Sequence, residues 1–216
     1  MYPFFSVVLC TYNRARLLPR ALRSLIHQHW QDWEAIVVDD GSTDATPLLL
    51  AAARAEEQRL RFLRISHQGP GAARQYGIRH ARGTYITFLD SDDEYLPEHL
   101  ELRARYLQHN PEAVFLHGGF EVIGPPLVPD RHNPSRLIPI SECVVGGTFV
   151  IQRAVLLRLG YPRIRFADDA ALYERALRAG IQIVYVPFPT YRYHRTTIDS
   201  LCTRYGSKFP KKHPQQ

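Results

Sequence analysis

The sequence predicts an α/β fold, in which a doubly wound, mostly parallel sheet is flanked by helices. In the first half of the chain, short apolar runs typical of buried strands alternate with segments of helical periodicity. Acidic clusters follow two of these runs, at the strand ends where parallel sheets bind ligands. The 216 residues, of which 45% are hydrophobic and 22% charged, are enough for a single domain with a substantial core.

The elements of the first half follow from the spacing of its apolar residues. Short runs rich in β-branched and other apolar residues predict strands at residues 4–10, 35–38, 61–65, 85–89 and 113–116. Apolar residues at intervals of three and four predict helices at residues 17–26, 47–58, 72–81 and 97–109. Because helices separate the strands, successive strands should lie parallel in one sheet.

The second half of the chain is less regular. Residues 124–139 are rich in proline and predict a mobile loop. A short apolar run occupies 149–151, residues 168–179 predict a helix that ends at Gly180, and 181–186 predict another strand. The sheet is therefore expected to continue beyond the regular first half.

The chain is expected to form one domain over residues 1–207, with a basic, proline-containing and disordered tail at 208–216. The apolar run at 4–10 is too short to span a membrane. It also lacks the basic region and cleavage site of a signal peptide. We therefore expect a soluble, cytoplasmic protein.

The net charge indicates the kind of partner, and the cysteine content indicates the redox compartment. The 27 Lys and Arg residues against 21 Asp and Glu give a formal net charge of +6, which favours anionic partners in general. No basic run is interleaved with aromatic residues, so nucleic acid is not expected as a partner. The three cysteines, Cys10, Cys143 and Cys202, are odd in number and widely spaced, which argues against a disulfide framework or zinc site and fits a reducing compartment.

An Asp-x-Asp pair follows the fourth predicted strand. Mg²⁺ and Mn²⁺ prefer carboxylate oxygens and usually retain waters and substrate phosphate oxygens as further ligands. Asp90 and Asp92 are two residues apart, so an extended segment places both on one side, and a turn could bring Asp93 or Glu94 closer. The alternative is an acidic loop that only caps the helix beginning near Pro97.

Three further groups suggest a ligand site, each with a simpler alternative. Asp39 and Asp40 end the second strand and could accept a pyrimidine N–H or a ribose hydroxyl, or could simply form a tight turn. Arg74 follows a glycine-rich loop near a helix N-terminus, where it could bind a diphosphate or lie on the surface. Asp168 and Asp169 begin a helix. They could cap its N-terminus, or they could include a general base.

Several competing motifs are absent. The first strand is not followed by G-x-G-x-x-G, and the sequence contains no G-x-x-x-x-G-K-[ST] loop. It also contains no G-x-S-x-G or H-E-x-x-H motif. The hypotheses of a dinucleotide-dependent oxidoreductase and of a P-loop enzyme therefore lose their main support.

Four strings together resemble the family 2 glycosyltransferases of the GT-A fold. They are SVVLCTYN at 6–13, VVDDGSTD at 37–44, GAARQYG at 71–77 and FLDSDD at 88–93. Their order and spacing make the match specific over about the first hundred residues. It continues more weakly to about His194.

The resemblance implies a donor site for a nucleotide-activated sugar. It would comprise Thr11, Tyr12, Asn13, Asp39, Asp40, Arg74, Asp90, Ser91 and Arg192. Within this set, Tyr12 would lie beside the base, Asp40 would accept the imide N–H with Asp39 nearby, and Arg74 would contact the diphosphate.

The resemblance also implies a metal site and a catalytic base. Asp92 would be the direct ligand of Mn²⁺ or Mg²⁺, and His194 is assigned with it to the metal. Arg192 and His194 resemble an Arg-x-His pair that closes over the donor phosphates. Asp169 matches the usual catalytic base, whereas Asp168 stands where the family has Glu, a shorter side chain of the same charge.

The implied activity is an inverting, metal-dependent transfer from a nucleoside-diphosphate sugar, with UDP favoured, to a hydroxyl of a saccharide or lipid-linked acceptor. Residues 1–118 would bind the donor and 119–207 the acceptor. Cell-envelope glycan synthesis and a peripheral contact with the inner membrane face are compatible with this activity. The alternatives are a catalytically inactive nucleotide-sugar-binding module and a nucleotidyltransferase, which usually carries a Gly-rich basic loop after the first strand.

Overall fold

The computed structural model describes residues 2–196, 200, 202 and 203. Its strands in chain order are β1 (Phe5–Thr11), β2 (Trp33–Asp39), β3 (Leu60–Arg64), β4 (Tyr85–Phe88), β5 (Glu94–Tyr95), β6 (Phe115–His117), β7 (Phe120–Ile123), β8 (Leu127–Pro129), β9 (Leu137–Pro139), β10 (Val150–Gln152), β11 (Val184–Tyr185) and β12 (Tyr191–His194). Its helices are α1 (Leu18–Ile26), α2 (Thr46–Glu56), α3 (Pro70–His80), α4 (His99–His109), α5 (Arg153–Leu159) and α6 (Asp168–Arg178).

Within the described residues, the main sheet has seven strands in the order β11–β6–β10–β4–β1–β2–β3. Strand β10 pairs antiparallel with β4 and β6, and the other neighbouring pairs are parallel. The chain starts at β1, builds outward through β2 and β3, and then returns to place β4 on the other side of β1. This order confirms a doubly wound, mostly parallel sheet, with its ligand-binding crevice expected between the ends of β1 and β4.

Apolar side chains cover both faces of this sheet, because successive residues of a strand point to opposite sides. In β1, Val7 belongs to one buried cluster and Val8 to the other. In β2, Val37 and Ile36 divide in the same way. The residues of β2 are all buried, as expected for a central parallel strand.

The segment predicted as a mobile loop, 124–139, instead contains a β-hairpin, so that prediction was wrong. Strands β8 and β9 pair antiparallel, with Leu127 opposite Pro139 and Pro129 opposite Leu137. Val128 is buried between them. Prolines are tolerated here because both strands lie at the edge of a two-stranded sheet.

The remaining differences also lie in the second half. Strands β5, β12 and β7 form a small second sheet that the sequence pattern did not predict, and α5 was also missed. The strand predicted at 181–186 is reduced to β11, and the run at 149–151 belongs to β10. The predicted tail at 208–216 lies outside the described residues. None of the helices in the described part of the chain has the length and apolar character needed to cross a membrane.

Candidate active site

A cleft of about 870 Å³ opens at the carboxyl ends of β1 and β4. The sequence-predicted residues that line it are Thr11, Tyr12, Asn13, Asp40, Arg74, Asp90, Ser91, Asp92, Asp169 and His194. Two other predicted residues, Asp39 and Arg192, do not line it. The fold therefore brings most of the predicted set to one place, from elements far apart in sequence.

The amide of Asn13 holds two loops together. Its Oδ1 accepts hydrogen bonds from the backbone N–H groups of Thr43 (2.8 Å) and Asp44 (3.3 Å), while its own N–H donates to Ser42 Oγ (2.8 Å). These bonds join the end of β1 to the turn after β2. Asn13 is therefore a scaffold of the predicted donor site, although it also borders the cleft.

Asp40 holds the neighbouring loop as well as bordering the cleft. Its Oδ1 accepts the N–H of Gln68 and its Oδ2 the N–H of Gly69, each at 2.8 Å, and His67 Nδ1 lies 2.9 Å from Oδ2. Both oxygens thus fix the loop before α3, and a carboxylate has about four acceptor sites in all. The base contact of Asp40 stays a prediction, and the structure adds a scaffold role.

Asp39 and Thr11, in contrast, keep unused polar atoms. The two residues are register partners at the ends of β2 and β1. Asp39 Oδ1 accepts the Ser42 N–H at 2.9 Å. Asp39 Oδ2 and Thr11 Oγ1 are buried without a hydrogen-bond partner among the described residues, although Arg64 Nε forms an ion pair with Asp39 Oδ2 at 3.7 Å. Such atoms destabilise a fold unless a ligand or water satisfies them, which favours a ligand at this position.

His67 is a residue that the sequence analysis missed. Its ring stacks on that of Tyr12, with 4.0 Å between centroids and 22° between planes. Both rings reach the cleft and remain partly exposed. No sequence signal distinguishes His67 from other loop residues, because the stack depends on Asp40 holding the loop against β1.

Asp93 anchors the second sheet to the Asp-x-Asp loop, a role that the sequence analysis also missed. The carboxylate is 1% exposed and accepts hydrogen bonds from Tyr191 Oη (2.6 Å) and from the N–H of His194 (2.7 Å). Burial and the charge of Asp92 hold the pKa of Asp93 well above its usual range. Asp93 therefore supports the loop and leaves Asp90 and Asp92 to face the cleft.

Arg192 and His194 lie on β12 of the second sheet and were predicted to act on the donor and the metal. Both contact acidic side chains. Arg192 pairs with Glu121 (3.2 Å) and Glu94 (3.6 Å) and is not among the residues that line the cleft, so its donor contact stays a prediction. His194 lines the cleft, but its Nε2 lies 3.1 Å from Glu94 Oε1. Because these residues are two apart on β12, both reach the same face and the same glutamate.

Asp92, the predicted metal ligand, borders the cleft together with Asp90. Burial and the nearby Asp90 raise its pKa to about 6, against the opposing charges of Arg14 and Arg20. Within the described residues, no group of three His, Cys, Asp or Glu side chains is arranged to hold a metal. Mg²⁺ and related ions often use one or two carboxylates and take further ligands from substrate phosphates, so Asp90 and Asp92 fit such an ion.

Arg74 bridges two acidic residues that are far apart in sequence. Its Nη2 donates to Asp90 Oδ1 and its Nη1 to Asp168 Oδ2, both at 2.5 Å. Burial disfavours the guanidinium charge, but Asp168 and Asp90 outweigh this and hold the pKa of Arg74 well above its ordinary value. The bridge joins the Asp-x-Asp loop to the start of α6.

Asp169 lies beside this bridge, at the first turn of α6. Its Oδ2 accepts the Gly146 N–H (3.0 Å) and its Oδ1 the Ala170 N–H (2.8 Å). A Cβ on Gly146 would lie 2.8 Å from the Asp169 Cβ, so only glycine permits this approach. Burial and the charge of Asp168 raise the pKa of Asp169 to about 6, a value suited to a general base near neutral pH.

Comparison with known proteins matches this chain to one family. The family described as Glycosyl transferase family 2 matches residues 6–156. An uncharacterised glycosyltransferase of Haemophilus influenzae is 35% identical over 78% of this chain and 70% of its own. The glucosyltransferase WfgD of Escherichia coli, named for UDP-Glc and an α-D-GlcNAc-diphosphoundecaprenol, is 26% identical over 76% of this chain and 66% of its own. The match to an uncharacterised glycosyltransferase of Rickettsia felis, 34% identical, covers 55% of this chain but spans only 19% of that relative's length.

Solved structures agree on the fold. Staphylococcus aureus TarS, crystallised with UDP-GlcNAc, superposes with a TM-score of 0.77 at 23% identity, over 93% of this chain and 60% of its own. The mannosyltransferase PcManGT of Pyrobaculum calidifontis, in complex with GDP-Man and Mn²⁺, superposes with a TM-score of 0.71 at 23% identity, over 89% of this chain and 57% of its own. These matches show the GT-A arrangement of sheet and helices. With the family match over most of the chain, they establish that it belongs to glycosyl transferase family 2.

Proposed function

We propose that the chain is an inverting, metal-dependent glycosyltransferase that moves a sugar from a UDP-sugar to a hydroxyl of a saccharide or lipid-linked acceptor. The observation that carries this proposal is the Arg74 bridge. It joins Asp90 of the Asp-x-Asp loop to Asp168, the neighbour of Asp169. A diphosphate site and a base with a raised pKa thereby face one cleft.

The mechanism follows from the positions of these side chains. Asp169 accepts the proton of the acceptor hydroxyl as its oxygen attacks the anomeric carbon, which inverts that centre. Arg74 stabilises negative charge on the departing nucleoside diphosphate. A bound Mn²⁺ or Mg²⁺ at Asp92 would supply further charge neutralisation for the leaving group.

The nucleotide preference rests on the strand ends. Thr11 Oγ1 borders the cleft and has no hydrogen-bond partner among the described residues, so it can donate or accept, and the neighbouring Asp40 carboxylate keeps acceptor capacity for an imide N–H. Uracil presents such an N–H, as does guanine. The structural relative TarS was crystallised with UDP-GlcNAc, and WfgD is named for UDP-Glc, so UDP is favoured.

The acceptor class is inferred from relatives. WfgD is named for a diphosphoundecaprenol-linked acceptor, and another relative, TuaG of Bacillus subtilis, is 28% identical and named for teichuronic acid biosynthesis. A role in cell-envelope glycan synthesis fits both. A polyprenyl-linked acceptor would bring the enzyme to a membrane surface.

The test is calorimetric titration with UDP and GDP, with and without Mn²⁺, on the wild type and on Asp92→Asn. We expect metal-dependent UDP binding that Asp92→Asn weakens, and NMR of the product should show an inverted anomeric centre. Asp32→Asn changes an exposed carboxylate just before β2, outside the cleft lining, and is the matched control. Binding indifferent to Mn²⁺ would contradict the metal site, and binding without turnover on polyprenyl-linked saccharides would favour an inactive nucleotide-sugar-binding module.

A further inference from the structure

We infer that Asp168 is a positioning residue, which fixes the Arg74 guanidinium where it meets the diphosphate of the donor. This inference rests on the proposed function and gives a role to the residue at which the chain departs from the Glu-Asp pair of its family. Asp168 would act on the donor only through Arg74. The same contact would tie α6, which carries Asp169, to the donor side of the cleft.

The geometry restricts Arg74 to one place. Its guanidinium is held on one side by Asp168 and on the other by Asp90, and its side chain is only 14% exposed. Its Cζ also lies 6.0 Å from the centre of the Tyr161 ring. A planar guanidinium gripped at both ends cannot rotate away without breaking a charge-assisted hydrogen bond.

The held guanidinium still has donors to offer. Asp90 and Asp168 each receive one hydrogen bond from it, and a guanidinium carries more N–H groups than these two. Arg74 also borders the cleft. The remaining N–H groups can therefore meet a phosphate oxygen while the carboxylates keep the group in place.

The backbone explains why the shorter aspartate reaches Arg74. Gly71 lies in the first turn of α3, one turn before Arg74, and the segment that leads into α6 packs directly on it. A Cβ on Gly71 would lie 2.4 Å from the carbonyl oxygen of Pro162 and 2.8 Å from that of Ile164. Because no side chain separates α3 from this segment, Asp168 lies close enough to bond Arg74 without the extra methylene of glutamate.

A helix cap is the simpler explanation for Asp168, and the contacts argue against it. The N-terminus of α6 has no side-chain capping hydrogen bond. The Oδ2 of Asp168 is committed to Arg74, and its side chain is 9% exposed. A cap would stabilise the helix wherever Arg74 pointed, whereas a positioning residue should lose its effect once Arg74 is changed.

The test is a double-mutant cycle of Asp168→Asn and Arg74→Lys, read as the Kd for UDP with Mn²⁺ and as kcat and donor KM. We expect Asp168→Asn to weaken UDP binding and raise donor KM by about tenfold, with a smaller change in kcat. In the Arg74→Lys background it should change the Kd by less than about twofold. Arg178→Gln, at the exposed end of α6, is the matched control and should leave all three values unchanged.

Two outcomes would overturn the inference alone. One is a full Asp168→Asn effect in the Arg74→Lys background. The other is a lower melting temperature with wild-type UDP affinity, which would mark a purely structural residue. Failure of the wild type to bind any nucleoside diphosphate is distinguishable from both, because it would overturn the proposed function and this inference together.

Discussion

The two walls of the cleft are held in different ways. The donor wall, formed by the turns after β1, β2 and β4 and the loop before α3, is fixed by side chains that bond to backbone, as Asn13, Asp40 and Asp93 do. The acceptor wall, formed by the β8–β9 hairpin and the start of α6, depends more on pairs of side chains. Arg131 of the hairpin pairs with Glu174 of α6, and Asp168 pairs with Arg74.

This difference matters because the two kinds of contact have different strengths. A buried carboxylate that accepts backbone N–H groups fixes the path of the chain, and removing it leaves those groups unsatisfied. A partly exposed ion pair contributes little and can be exchanged. We therefore expect the donor wall to be preorganised and the acceptor wall to tolerate variation, except at Asp169 and at Asp168, whose ion pair with Arg74 is largely buried.

The largest expected effect separates binding from chemistry. Asp169→Asn should lower kcat by about 10²–10⁴, because the amide cannot accept the acceptor proton. UDP affinity should stay within about twofold, since the donor wall is unchanged. Steady-state kinetics and calorimetry measure the two quantities, and Glu101→Gln, on α4 and outside the cleft lining, is the control. Undiminished turnover would remove Asp169 from the mechanism.

The next prediction compares how much a carboxylate in each wall contributes to the free energy of unfolding. Asp40→Asn removes a carboxylate that accepts two loop N–H groups and should lower the free energy of unfolding by about 1–3 kcal/mol. Asp130→Asn alters a partly exposed hairpin carboxylate that accepts one N–H and should change this free energy by less than about 0.5 kcal/mol. Urea denaturation gives both values. Equal losses would show that the donor wall is no more tightly held.

The pH dependence tests the environment of Asp169. Its pKa is raised to about 6 by burial and Asp168, and the base must be deprotonated to act. Turnover should therefore be constant well above pH 6 and fall as pH drops through 6, to about one tenth at pH 5. The profile of kcat at saturating substrates measures this. A kcat unchanged down to pH 5 would place the kinetically relevant pKa elsewhere.

The smallest effect is expected from the aromatic stack of the donor wall. His67→Ala removes the ring that packs on Tyr12 and should weaken UDP binding by a few-fold, in line with about 0.5–1.5 kcal/mol for an aromatic pair. His132→Ala, on the hairpin of the acceptor wall, is the control and should not change UDP affinity. Equal effects of both substitutions would mean that the stack does not support the nucleotide.

Much of the donor wall could be predicted from the sequence. Central parallel strands are buried on both faces, so β1, β2 and β4 stand out as continuous apolar runs. Acidic residues after such runs must lie at one edge of the sheet. The second sheet and strand β11 were less predictable, because their strands are two to four residues long and pair with distant segments, as Tyr191 does with Phe120 and Tyr95.

The roles of individual side chains were less predictable than their location. Asp39 and Asp40 are adjacent and identical in type, yet Asp40 borders the cleft and holds the loop before α3, while Asp39 lies outside the cleft lining and bonds to Ser42. Arg192 and His194 match a family pattern but contact Glu94. Sequence shows the residue type at a strand end, but the hydrogen-bond partner depends on which loop lies opposite.

The sequence by itself determined the doubly wound sheet, the family, and the edge where the site lies, because burial and strand order are written in local apolar patterns. Only the tertiary structure decided which groups each carboxylate bonds to. It also placed Arg74 between Asp90 and Asp168, residues 16 and 94 positions away in the chain. Such long-range contacts depend on how α3 packs against the segment that leads into α6, where Gly71 allows a close approach. The local sequence pattern does not encode how closely the two pack.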